Sequence, residues 1–127
     1  MYYIIIKALN TGHDGSLSTG HANSPKDMLS RLESMVLMGM DLPLGAVQRQ
    51  IASGIDIIVH LGRLRDKSRK VLEVSEILDY QDGEILVSPL YRFEETGEKD
   101  GKIQGTWRKM DDLVHTQKLL AAGYKEV

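Results

Sequence analysis

The chain has 127 residues, of which 42% are hydrophobic and 27% charged, with a formal net charge of -2 and no cysteine. This size and composition describe one globular domain with a real core and exclude disorder as an account of the whole. The charge gives no ground for a nucleic-acid or anionic-membrane surface, and without cysteine there is no disulfide, thiolate nucleophile or Cys-based zinc site.

In chain order, residues 2–9 fit either element. Tyr and Ile favour a strand, while Lys7-Ala8-Leu9 before Asn10 and Gly12 favours a helix C-terminus. The opening MYYIII has no basic segment before it and breaks at Lys7, unlike a signal peptide, and no apolar run approaches the roughly 20 residues that span a bilayer. The expected location is cytoplasmic.

Ser16 to Ala22 reads as a short strand leaving a Gly-rich turn. Ser24 is suited to cap a helix, with Pro25 in its first turn and Asp27 at the positive end of its dipole. Met28, Leu29, Leu32, Met35 and Val36 fall on one helical face, and Gly39 is the stop. A second helix is expected from about Pro43 to Ser53, with Leu44, Val47 and Ile51 inward and Gln48, Arg49 and Gln50 around the rest. Ile55 to Leu61 is dense in Ile and Val, as in a strand buried on both faces. Val71 to Leu78 is the next strand, joined through Asp82-Gly83 as a hairpin to Glu84 to Phe93. Pro89 places an edge or a bulge in that third strand. Asp100-Gly101 is a further turn before a strand from Ile103 to Trp107, and a short helix is expected from Leu113 to Ala122, stopped by Gly123.

Among residues that could carry chemistry, His13 and His21 stand out. Imidazole titrates near neutral pH and could sense a phosphate or hold a water; the alternative is a pair of polar residues bonded to nearby backbone. Their spacing does not suit a metal, and no third soft ligand is evident. Gly15 to Gly20 has the G-x-x-x-x-G outline of a phosphate loop, but His21 and Ala22 follow where Lys and Ser or Thr are required, and G-x-x-x-x-G-K-[ST] occurs nowhere in the chain. Arg31 is either a coupling contact to a neighbouring subunit or a surface arginine paired with Asp27 one turn back. Arg63, Arg65 and Arg69 cluster with Lys67 and Lys70; a phosphate contact is one reading, a solvated connection between two strands the commoner one. Met28 and Met35 fit the core, Met38 and Met40 a subunit contact, and Phe93 and Trp107 packing of the β region.

The string TGHDGSLSTGHANS, residues 11–24, resembles the histidine-containing box of the secretion ATPases that power type II secretion, type IV pili and tight-adherence (Flp-type) pili. The likeness continues through HANSPKDMLSRLESMVLMGMDLPLGAVQRQIASGIDIIVHLGRLRDKSRKVLEVSEIL to the tail YRFEETGEKDGKIQGTWRK, and so covers about residues 7–123. The resemblance implies an α/β fold: the C-terminal half of a RecA-like P-loop ATPase core with a mostly antiparallel β extension. It makes residues 2–9 the end of a helix. It implies a parent that hydrolyses ATP with Mg²⁺ as a hexamer at the inner-membrane platform of a pilus or secretion machine. In that parent His13 and His21 would act at the γ-phosphate, and Asn23, Arg31, Arg63 and Arg65 would lie near the nucleotide or the next subunit. The phosphate loop and acidic boxes of the family precede the box, where this chain has only ten residues. The chain is therefore expected to be a truncated frame or fragment, inactive alone, holding no cofactor and self-associating through the truncated face. An autonomous module that binds intact motor subunits or the pilus platform is the alternative. A small hydrolase using His13 or His21 as base is a weaker one, since no nucleophile elbow is present.

Overall fold

A computed structural model of the chain describes residues 17–125. Two helices, α1 (Pro25–Gly39) and α2 (Leu44–Gly54), precede four strands, β1 (Ile57–Arg63), β2 (Arg69–Gln81), β3 (Glu84–Lys99) and β4 (Lys102–Lys109), and a short helix α3 (Gln117–Ala121) follows. The strands form one antiparallel sheet in the order β1-β2-β3-β4. The protein is thus α/β with its strands antiparallel, and no parallel pair occurs among the described residues. Residues 2–9, over which the sequence is ambiguous, lie outside the described residues.

The helix starts follow from local chemistry. Ser24 is extended, and its Oγ accepts the Asp27 backbone N–H at 3.0 Å. That satisfies one of the donors a helix leaves unpaired at its start. Pro25 then supplies a helical φ without needing a hydrogen bond. α1 buries Leu29, Leu32 and Val36. Met35 does not join them: it is 40% exposed, one step round the helix from Val36 and off the stripe. α2 buries Val47 and Ile51, whereas Leu44 stays exposed. Gln48, expected outside, is buried instead. Its amide donates to Glu33 Oε1 at 3.3 Å and joins the two helices where they cross.

The helix pair covers one face of β2 and β3. Val36, Val47 and Ile51 meet Ile77 and Ile85, with Met28, Met40, Leu42, Ile58, Tyr80 and Val87 around them. Tyr80 closes the rim, with the Arg49 guanidinium 5.2 Å over its ring.

The two hairpins form where the Asp-Gly pairs stand. Asp82 and Gly83, and Asp100 and Gly101, all have positive φ, the backbone that matches the twist of paired strands. Pro89 lies at a bulge: Val74 pairs with Tyr91 and Ser75 with Pro89, so Leu90 is the extra residue. Phe93 and Trp107 pair across β3 and β4, edge to face at 5.6 Å, and the Trp107 Nε1–H donates to the Val71 carbonyl at 2.7 Å.

Three expected elements are corrected. Residues 17–22 are not a strand: among the described residues no strand pairs with them, and an extended segment without a ladder is not fixed. β1 is not buried on both faces: in a meander the first strand is an edge, and Val59 and Leu61 are 52% and 67% exposed. The C-terminal helix begins only at Gln117. The chain before it is irregular and is held to the sheet by Glu76, a fully buried side chain whose carboxyl accepts the N–H groups of Val114 and His115, both at 2.8 Å.

Ile51→Ala should lower the unfolding free energy by about 2–5 kcal/mol, because the lost methyl groups leave a cavity between two helices and a sheet. Met38→Ala, on a side chain 88% exposed, should change it by less than about 0.5 kcal/mol. Chemical denaturation of both variants checks the contrast.

Candidate functional site

Between the segment 17–24, the first half of α1 and the edge strand β1 lies a groove of about 760 Å³. His21 and Asn23 enter it from the segment and Arg31 from the helix. His60 enters from β1. The structure thus brings together three of the residues the sequence singles out and adds a fourth. His13 lies outside the described residues.

One carboxylate orders this end of the groove. Asp27 Oδ2 accepts the Asn23 backbone N–H at 3.0 Å and the Arg31 Nε–H at 3.1 Å. The Asn23 bond chiefly, with the charge and hydrogen bond of Arg31 added to it, holds the carboxyl below its ordinary value against the opposing effect of desolvation. Ser24 Oγ accepts the Asp27 N–H while Asp27 reaches back to Asn23, and the two bonds set where the chain turns into the helix. Arg31 is therefore tied at Nε, and its remaining N–H groups are available to the groove.

His60 was missed in the sequence. The signal available was parity: in the alternating run of β1 it shares the inward face with Ile58, an apolar position. Its register partner on β2 is Glu73, which also accepts Ser75 Oγ at 2.6 Å and Arg92 Nε at 2.8 Å. Burial raises the Glu73 pKa, but the two hydrogen bonds and the charges of Arg92 and His60 outweigh it, and the net shift is downward.

Among the described residues the lining holds one guanidinium and two imidazoles, set in a largely apolar surface, and no Asp, Glu or Lys. Such a surface can meet an anion by hydrogen bonds and charge. Among the described residues no group of three or more His, Cys, Asp or Glu could hold a metal ion.

Arg63 and Arg65 do not line the groove. They stand where β1 turns into β2. Arg63 Nε donates to the Lys67 carbonyl at 3.3 Å. Arg65 grips Glu95 of β3 through both terminal nitrogens, the longer contact at 2.7 Å, and reaches Glu98 at 3.7 Å. Asp66 beside it accepts the N–H groups of Ile103 at 2.8 Å and Ser68 at 2.9 Å, and the Ser68 hydroxyl. The basic segment is thereby pinned to the β3–β4 hairpin.

The family model described as type II/IV secretion system protein matches residues 2–116, and the chain belongs to that family. Over 81 residues it is 32% identical to a candidate conjugal transfer protein of Mycobacterium tuberculosis, which covers 64% of this chain and 22% of that protein. Over 78 residues it is 35% identical to the conjugal transfer protein TrbB of Rhizobium radiobacter, covering 61% of this chain and 23% of that one. The chain therefore spans less than a quarter of the length of these relatives. No helix among the described residues is long and apolar enough to cross a membrane.

Two outcomes are expected. Ser24→Ala should cost about 1 kcal/mol of stability by removing the cap of α1, measured by thermal denaturation. The Asp66 carboxyl is held at about 2, first by the Ile103 backbone N–H and then by Ser68, against an ordinary value of 3.8. A folded-state pKa below the unfolded one stabilises above the unfolded value and is lost as pH falls through the folded one. The stability gap between wild type and Asp66→Asn should therefore hold from neutral pH down to about 4 and shrink between about 4 and 2. Denaturant titrations at stepped pH check this; a gap constant over that window would remove the assignment.

Proposed function

We propose that these residues are the C-terminal part of the motor ATPase of a type II/IV secretion machine, of the tight-adherence (Flp) pilus branch, and form the later half of its RecA-like core. One observation supports this most. The box residues His21 and Asn23 and the helix residue Arg31 converge on one groove, where they stand as polar groups in a largely apolar lining. In the complete motor that groove would face the γ-phosphate of ATP, with Mg²⁺ held elsewhere, and His13 would join it. Arg31 would supply charge and two or more donors, and the imidazoles would hold or move a proton at the phosphate oxygen or the attacking water. Arg63 and Arg65 would shape the neighbouring subunit contact rather than the groove. The motor would work as a hexamer on the cytoplasmic side of an inner-membrane platform. The conjugal-transfer names of the relatives belong to the same broad class of machine.

Phosphoryl transfer draws most of its charge stabilisation from the phosphate loop, its lysine and Mg²⁺. The 127 residues contain no G-x-x-x-x-G-K-[ST] segment, so this chain alone should neither hydrolyse ATP nor bind it tightly. A second reading, an autonomous module that docks on motor subunits or the platform, draws on the exposed Met35, Leu37, Met38 and Leu44 around the α1–α2 connection.

The test has two arms. Calorimetry of the chain with magnesium-ATP should show no low-micromolar binding; such binding would overturn the reading. In a full-length family ATPase carrying the same box, alanine at either histidine should lower turnover on the order of 10²-fold with nucleotide affinity nearly unchanged. Unaltered turnover in both variants would leave the histidines as scaffolding.

A further inference from the structure

A polar row runs across the inward face of the sheet and ends in the groove. His60 of β1 stands directly opposite Glu73 of β2, and Glu73 stands opposite Arg92 of β3. Side chains directly opposite on one face of an antiparallel pair have Cβ atoms about 4.5–5.5 Å apart. The Glu73 side chain is 16% exposed and is held from two directions. Its Oε2 accepts the Ser75 hydroxyl at 2.6 Å, and its Oε1 accepts Arg92 Nε–H at 2.8 Å. Ser75 is itself fully buried, so the carboxylate is anchored from within the sheet. Each carboxylate oxygen has two acceptor sites, and Glu73 therefore keeps capacity for a ring N–H of His60. Around His60 the described charged or titratable groups are Glu73 and Arg92 along the row and Arg31 and His21 in the groove lining. Glu73 is the only carboxylate among these four. Asp27 stands in the same relation to Arg31, whose Nε it holds at 3.1 Å.

We infer, on the reading of the groove as a phosphate-facing site, that Glu73 is a positioning residue: it orients the His60 imidazole and supplies its counter-charge when the ring carries a proton. The two ring nitrogens are distinct, and a bond from one to Glu73 leaves the other for the groove. A proton that passes between His60 and the attacking water or a phosphate oxygen then changes the charge of the ring alone, and Glu73 stays a carboxylate. Arg92 and Ser75 take no part in that transfer. They fix the carboxylate, and so the ring, against movement toward the cationic side of the groove.

Glu73→Gln keeps the shape of the side chain and removes its charge. In the 127-residue chain, the NMR ring signals of His60 should titrate lower in this variant by about half a pH unit or more, because a facing negative charge favours the charged ring. Those of His115 should not move. In a full-length family ATPase with the same box and the same strand pair, Gln at the position matching His60 should lower turnover about tenfold or more with nucleotide affinity nearly unchanged. Gln at the position matching Glu73 should also lower it, and the two changes together should cost no more than the histidine change alone, since one residue acts through the other. A His60 signal that does not respond to Glu73→Gln, or losses that multiply in the double variant, would overturn the inference. Turnover lost at the His21 position but unaltered at the His60 position would overturn it and leave the phosphate reading standing. Unaltered turnover at the His13, His21 and His60 positions alike would remove both.

Discussion

The contact of Val36, Val47 and Ile51 with Ile77 and Ile85 is the interaction on which the other features depend. All five are nearly or wholly excluded from water, and they come from two helices and two strands. Each buried aliphatic side chain of this kind contributes about 1.5–3 kcal/mol relative to exposure. The contact also sets geometry. It fixes α1 against the sheet with its first turns beside β1, and this leaves the groove between them. A shift of α1 would move Arg31 and the segment that carries His21 relative to His60, because these residues sit on different elements and share no direct bond.

Carboxylates place the segments that neither core nor ladder can hold. Asp27 receives Asn23 and Arg31 at the entry to α1, Asp66 ties the β1–β2 turn to β4, and Glu76 fastens the chain after β4 to the sheet. In each case the acceptor is a carboxyl oxygen and at least one donor is a backbone N–H. The basic run between β1 and β2 is best understood in this way. Its arginines are drawn toward Glu95 and Glu98 and toward their own turn, and away from the groove.

Membership of the type II/IV secretion system family gives the groove its interest, and the chain spans less than a quarter of the length of the relatives it matches. The described residues bring one guanidinium and two imidazoles to a largely apolar groove.

Much of the local structure was legible in the sequence because it is decided locally. The Ser24-Pro25 start of α1, the Asp82-Gly83 and Asp100-Gly101 turns, and the bulge at Pro89 rest on backbone preferences of a few adjacent residues. The likeness of residues 11–24 to the histidine box was also legible, because it is carried by a contiguous string. What the tertiary structure alone decided is which side of each element faces what. Met35 lies outside and Gln48 inside because the crossing of α1 and α2 selects a narrow stripe, which helical period does not locate to one residue. Ile55 to Leu61 has the composition of a strand covered on both faces, yet β1 is an edge, since strand order is a property of the whole sheet. Residues 17–22 have a strand's sequence and, among the described residues, no strand to pair with. His60 lines the groove, and Arg63 and Arg65 stand outside it, for the same reason: a position along the chain specifies neighbours in sequence, while a groove is made by residues that long-range packing brings together.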